Sequence, residues 1–66
     1  MNPVRVVIAD DDAGMRLVMK KLLEKSGDFL LLGEAEDGPQ LLAMVEENAP
    51  QLVLLDVEMP AMSGVE

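Results

Sequence analysis

The chain contains no cysteine, no histidine, no tryptophan and no tyrosine. Without cysteine there is neither a disulfide nor a thiolate metal site. Without histidine there is no imidazole zinc site and no histidine general base. Phe29 is the single aromatic residue. Basic residues are scarce: five against thirteen acids, for a net charge of −8. Such a balance disfavours nucleic acid and anionic membranes as direct partners of this segment. No stretch approaches the roughly 20 apolar residues of a membrane span. Met1 to Arg5 lead straight into an apolar run without the long h-region of a signal peptide, so a cytoplasmic location is expected.

What is present is a core-forming sequence. Half of the 66 residues are hydrophobic, with Leu, Val and Met prominent. That argues for a packed core and against disorder. The length allows one domain at most, and a chain this short buries only about 60% of its unfolded surface.

Two apolar runs each end in acid. Val6-Val7-Ile8-Ala9 is followed by Asp10-Asp11-Asp12, and Leu52-Val53-Leu54-Leu55 by Asp56-Val57-Glu58-Met59-Pro60. If both runs are neighbouring parallel strands, their carboxyl ends lie side by side. Carboxylates distant in sequence then meet in one crevice, where open α/β sheets place their chemistry. Crowded carboxylates repel and call for a hard cation such as Mg²⁺.

The rest of the chain reads as alternating elements. Val4 to Ala9 predicts a strand buried on both faces. Met15, Val18, Met19 and Leu22 fall at i, i+3, i+4 and i+7 and predict the buried face of a helix, with Gly27 as its stop. Arg16, Lys20 and Lys21 are assigned to its other faces. Phe29 to Leu32 predicts a short strand and Gly33 to Gly38 a loop. Asp37 and Gln40 have capping-box spacing, and Leu41, Leu42 and Val45 offer an apolar face for a helix ending near Asn48. Leu52 to Leu55 predicts a third buried strand. The order β-α-β-α-β implies parallel pairing through right-handed crossovers.

At these residues the chain resembles the receiver domain of two-component response regulators. The likeness rests on Ile8-Ala9-Asp10-Asp11-Asp12 with Met15-Arg16, on Gly33-Glu34-Ala35-Glu36-Asp37-Gly38, and on Leu55-Asp56-Val57-Glu58-Met59-Pro60 with Gly64. It spans the whole chain but about half of a usual receiver. The implied fold is α/β: the first half of a doubly wound, flavodoxin-like parallel sheet with strand order 2-1-3. Residues 1–66 are then expected to be the N-terminal portion of a receiver domain, ending in the loop after the third strand.

The resemblance also implies site roles. Asp56 is the phosphoacceptor. Asp10 and Asp11 hold Mg²⁺ directly or through water, and Glu58 offers its main-chain carbonyl. Asp12 is instead assigned to the start of the first helix. The implied partner is a histidine kinase or phosphotransfer protein, and the implied activity is self-phosphorylation rather than enzymatic turnover. The family's Ser or Thr after a fourth strand and Lys after a fifth have no counterpart among these residues. Little stable phosphorylation of the 66-residue chain alone is expected for that reason. The strand Leu52 to Leu55 is expected to be a hydrophobic edge, which invites self-association.

Bland alternatives stand beside these roles. The acidic run Asp10 to Asp12 also suits a solvated loop with a helix cap, and Asp56 suits a turn at a strand end. Two other functions fit parts of the sequence. One is a haloacid-dehalogenase-like phosphatase, suggested by Asp56-Val57-Glu58-Met59, which leaves Asp10 to Asp12 unexplained. The other is an association module that keeps the fold without phosphorylation. Beryllofluoride binding with Mg²⁺, steady phosphomonoester turnover, and a stable oligomer with neither activity separate the three.

Overall fold

The computed structural model describes residues 2–55. Its elements are β1 (Val4–Ala9), α1 (Ala13–Ser26), β2 (Phe29–Ala35), α2 (Gly38–Asn48) and β3 (Leu52–Leu55). The three strands form a parallel sheet in the order β2-β1-β3, as expected from the alternation of elements. The expected loop carrying Asp56 and Glu58 lies outside the described residues.

β1 is the axis of the molecule. Val6, Val7, Ile8 and Ala9 are fully buried. Their side chains alternate between two cores, because successive strand residues point to opposite faces. Val6 and Ile8 pack with Leu23, Met19, Phe29, Leu31 and Leu54. Val7 and Ala9 pack with Ala35, Leu41, Leu32, Met44 and Val53. The first core lies under α1 and the second under α2.

Both helices begin at an aspartate. The Asp12 side chain accepts from the N–H groups of Gly14 (2.8 Å) and Met15 (3.4 Å). The Asp37 side chain accepts from the Gln40 N–H at 2.9 Å, and Gln40 Oε1 accepts from the Glu36 N–H at 2.9 Å. The return bond of this capping box thus reaches one residue further back than the usual N-cap N–H. α1 stops at Gly27, whose φ of 77° is left-handed and open to glycine without strain. α2 has no basic residue in its last turn, but Arg5 of β1 donates to the Asn48 carbonyl at 3.1 Å. A cation from the sheet therefore sits where the helix dipole favours one.

Four expectations are corrected. β2 runs on through Gly33-Glu34-Ala35, where a loop was expected, because β1 offers Val7, Ile8 and Ala9 as ladder partners. The buried residue of α1 is Leu23, with Met19 beside it, whereas Met15, Val18 and Leu22 are exposed. In α2, Leu41 and Met44 face the core while Leu42 and Val45 are exposed. One member of each expected stripe, Met19 in α1 and Leu41 in α2, does pack on the sheet, beside Leu23 and Met44, which lie outside the stripes. β3 is half-buried rather than buried, with Leu52 and Leu55 exposed, because among the described residues it pairs only with β1.

β2 carries an irregularity. Val6 pairs with Leu31 but Val7 pairs with Gly33, so Leu32 is an extra residue. Leu32 and Gly33 both face α2; a Cβ built on Gly33 would lie 3.1 Å from the Met44 sulfur. Beyond this bulge the parity of β2 is reversed. Phe29 and Leu31 face α1, and so does Glu34, while Ala35 faces α2.

The end of α2 offers a direct stability test. Ala49 is left-handed, with φ 46°, and carries a Cβ that this conformation penalises. Ala49→Gly is expected to stabilise the fold by about 0.5–1 kcal/mol in urea unfolding, the relief of strain exceeding glycine's greater loss of freedom. Loss of stability in this variant would show that the Cβ is not strained.

Candidate functional site

The site is built where β1 ends. Asp10 follows the last residue of β1, and its N–H donates to the Ala35 carbonyl at 3.0 Å. It is only 4% exposed, which is unusual for a carboxylate. Its Oδ1 accepts from the Asp12 N–H at 2.9 Å. Asp11 and Asp12 are exposed. Together the three acids form the polar wall of a cleft whose other lining is Met15, Met19, Leu54 and Leu55.

Asp12 starts α1 as expected, and all three acids line the same cleft. The Asp12 carboxylate is occupied with the α1 N-terminus, while Asp11 opens to the cleft. Ala9 and Leu55 are register partners across β1 and β3. Each immediately precedes an expected site residue in the chain, Asp10 and Asp56. Asp56 and Glu58 lie outside the described residues. Among the described residues, no three acidic side chains converge into a complete metal cage.

The donor chemistry nevertheless fits Mg²⁺. Asp10 and Asp11 offer only hard carboxylate oxygens, and Mg²⁺ commonly binds through one or two carboxylates while keeping several waters. Among the described residues the Asp10 side chain accepts one hydrogen bond, and no buried side-chain oxygen is left without a partner.

An ionic group behind the cleft was not anticipated in full. Arg16 and Lys20, one turn apart on α1, both reach Glu34 of β2. Arg16 Nε donates to Glu34 Oε1 at 3.1 Å and Lys20 Nζ to Glu34 Oε2 at 2.7 Å. Arg16 also lies 3.7 Å from the Glu36 carboxylate and donates to the Asp10 carbonyl at 2.7 Å. Its side chain is 12% exposed. The assignment of Arg16 and Lys20 to faces away from the sheet is therefore corrected. The sequence signal was an i, i+4 pair of bases and an acidic run from Glu34 to Asp37. Only the reversed parity of β2 brings them together.

The geometry defines a parallel α/β protein with an acidic cleft at the carboxyl end of its central strand. The chain belongs to the response regulator receiver domain family, whose sequence pattern matches residues 6–66. It is 43% identical over 61 residues to the chemotaxis protein CheY of Bacillus subtilis, covering 92% of this chain and 50% of that protein. It is 41% identical over 63 residues to a protein-glutamate methylesterase/protein-glutamine glutaminase of Pyrococcus abyssi, covering 96% of this chain and 17% of that protein.

Solved structures agree. The receiver domain of the response regulator NarL from Mycobacterium tuberculosis superposes with a TM-score of 0.88 at 37% identity, covering 94% of this chain and 50% of that one. CheY6 of R. sphaeroides in complex with the P1 domain of CheA3 gives a TM-score of 0.85 at 35% identity, covering 97% and 50%. The chain therefore spans half or less of the proteins it matches. Among the described residues, no helix is long and apolar enough to cross a membrane.

Glu34 supplies a pH signature. The hydrogen bond from Lys20 holds its carboxyl below the ordinary value of 4.5; partial burial opposes this, and Arg16 adds to the lowering. A carboxyl lowered by folding stabilises the fold above its unfolded pKa, and that contribution disappears as pH falls through the folded value. Wild type is expected to exceed Glu34→Gln in stability at about pH 6 and to lose that margin on acidification below 4.5. Urea unfolding of both proteins across this range checks it; a margin independent of pH would contradict the ion pairing.

Proposed function

We propose that residues 1–66 are the N-terminal portion of a phosphoacceptor receiver, with Asp56 the residue phosphorylated and Asp10, Asp11 and the Glu58 carbonyl the protein ligands of Mg²⁺. The observation that carries this reading is the pairing of Ala9 with Leu55. It aligns the strands that lead into Asp10 and Asp56, as a shared site at their carboxyl ends requires. The match of residues 6–66 to receiver domains supports the same assignment.

Within this proposal, the Asp56 carboxylate is the nucleophile. One of its oxygens forms a bond to phosphorus while the bond from phosphorus to the donor's leaving group breaks. Bound Mg²⁺ would supply positive charge beside the phosphoryl oxygens. The protein's own contribution is to hold Asp10 and Asp11 at the cleft and to keep the Asp12 carboxylate on the helix. The segment acts as an acceptor, not as a turnover enzyme. The activity named for the methylesterase relatives belongs to proteins of which this chain covers about one sixth.

The proposed donor is a histidine kinase or phosphotransfer protein, acting in the cytoplasm. Support comes from the structural likeness to CheY6 bound to the P1 domain of CheA3. Exposed Leu52 and Leu55 on β3 support self-association at that strand as a further contact. The phosphatase alternative leaves the Asp10 to Asp12 arrangement without a role.

Phosphoryl labelling of the protein that carries this segment tests the acceptor. Asp56→Asn keeps the side chain's size and removes the nucleophile, so labelling by a phosphohistidine donor or small phosphodonor is expected to be lost. Wild-type labelling of that variant, with an acid-stable adduct elsewhere, would overturn the assignment.

Mg²⁺ titration tests the ligands separately. Asp11→Asn is expected to weaken affinity by about tenfold or more, and Asp12→Asn distinctly less, since Asp12 serves the helix and asparagine also caps. Equal losses in the two variants would refute the division of roles.

A further inference from the structure

Arg16 spends its guanidinium on three segments at once. Nη1 donates to the Asp10 carbonyl at 2.7 Å, Nε donates to Glu34 at 3.1 Å, and Nη2 lies 3.7 Å from Glu36. Its own N–H donates to the Asp12 carbonyl at 3.1 Å, closing the first turn of α1. Lys20 holds the second oxygen of Glu34 at 2.7 Å, so the acceptor of the fork is itself fixed. The Arg16 side chain is only 12% exposed, although Glu34 and Lys20 remain partly exposed and Glu36 is exposed, so it is the guanidinium and not the whole group that is withdrawn from solvent.

We propose that Arg16 is a positioning residue for Mg²⁺ binding: it orients the Asp10–Asp11 peptide and so presents both carboxylates to the cation. This rests on the reading of Asp10 and Asp11 as Mg²⁺ ligands. The Asp10 carbonyl and the Asp11 N–H share one rigid peptide plane. A strong donor on that oxygen sets the plane from which the Asp11 side chain departs. Asp10 is then held at three points: its N–H by Ala35, its carbonyl by Arg16 and its carboxylate by the Asp12 N–H. Groups that orient metal ligands in this way commonly contribute about 10- to 100-fold to affinity.

The roles of charge and of positioning have opposite signs here. Arg16 is a cation beside a cation site, so removing its charge alone would tighten Mg²⁺ binding. Removing its orienting contact loosens it. Lysine keeps the charge but not the planar fork, and cannot hold Asp10, Glu34 and Glu36 together.

The test compares Mg²⁺ affinity of wild type, Arg16→Lys, Arg16→Met and Asp11→Asn by calorimetry, with hydrogen exchange of the Asp12 amide measured without metal. Arg16→Lys and Arg16→Met are both expected to bind Mg²⁺ about tenfold more weakly. The Asp12 amide, protected in wild type by Asp10, is expected to exchange faster in both. Wild-type affinity in Arg16→Lys, or tighter binding by Arg16→Met, while Asp11→Asn binds weakly, would overturn this inference and leave the ligand assignment standing. Absence of Mg²⁺ binding by wild type would remove both. Should the substitutions unfold the chain, the wild-type Asp12 amide still decides: exchange at an unprotected rate contradicts the held loop.

Discussion

A strand with no water on either face governs this structure. Val6 to Ala9 are wholly buried, so every neighbour of β1 must be apolar or hydrogen-bonded. β2 and β3 satisfy its two backbone edges, and α1 and α2 cover its two faces. Parallel pairing follows, since the helices supply the crossovers that parallel strands need. The chain leaves this dry strand at Asp10, and the change from apolar to acidic residues there marks where the core ends and the site begins.

The same strand transmits order to the site. Asp10 is anchored by its N–H to β2, and the turn that follows is closed by Asp12 capping α1. α1 in turn reaches back with Arg16 to the Asp10 carbonyl. The acidic loop is thus held at both ends by groups that belong to rigid elements. Under the proposed role of Asp10 and Asp11 such support matters, because small displacements of hard oxygen donors are costly to an octahedral ion.

The bulge at Leu32 links fold and site. With a regular period of two, Glu34 would face α2 and Ala35 would face α1. The extra residue puts Ala35 into the apolar core and Glu34 against Arg16 and Lys20. One inserted residue therefore removes a carboxylate from one core and supplies the acceptor for the fork behind the cleft. Gly33 permits it, since a side chain there would press on Met44.

Much of this was legible in the residues themselves. The continuous apolar run Val6 to Ala9, the caps Asp12 and Asp37 and the stop Gly27 are local signals, and local chemistry determines them. The acidic runs after Ala9 and Leu55 are equally plain in the sequence, although the second begins at Asp56, outside the described residues. The helix faces were only partly placed, Met19 and Leu41 rightly, and the strand through Ala35 was missed for a common reason. Periodicity shows that a stripe exists, but the neighbouring element chooses which part of it to bury. Likewise, nothing local to Gly33-Glu34-Ala35 distinguishes loop from strand until β1 offers partners for it. By itself the sequence determined the order of elements, their caps and the carboxylates at the strand ends, all of which depend on residues within a few positions of one another. Only the tertiary structure decided the parity of β2, and with it the meeting of Arg16, Lys20 and Glu34, because a bulge is a property of two strands paired and not of either strand alone.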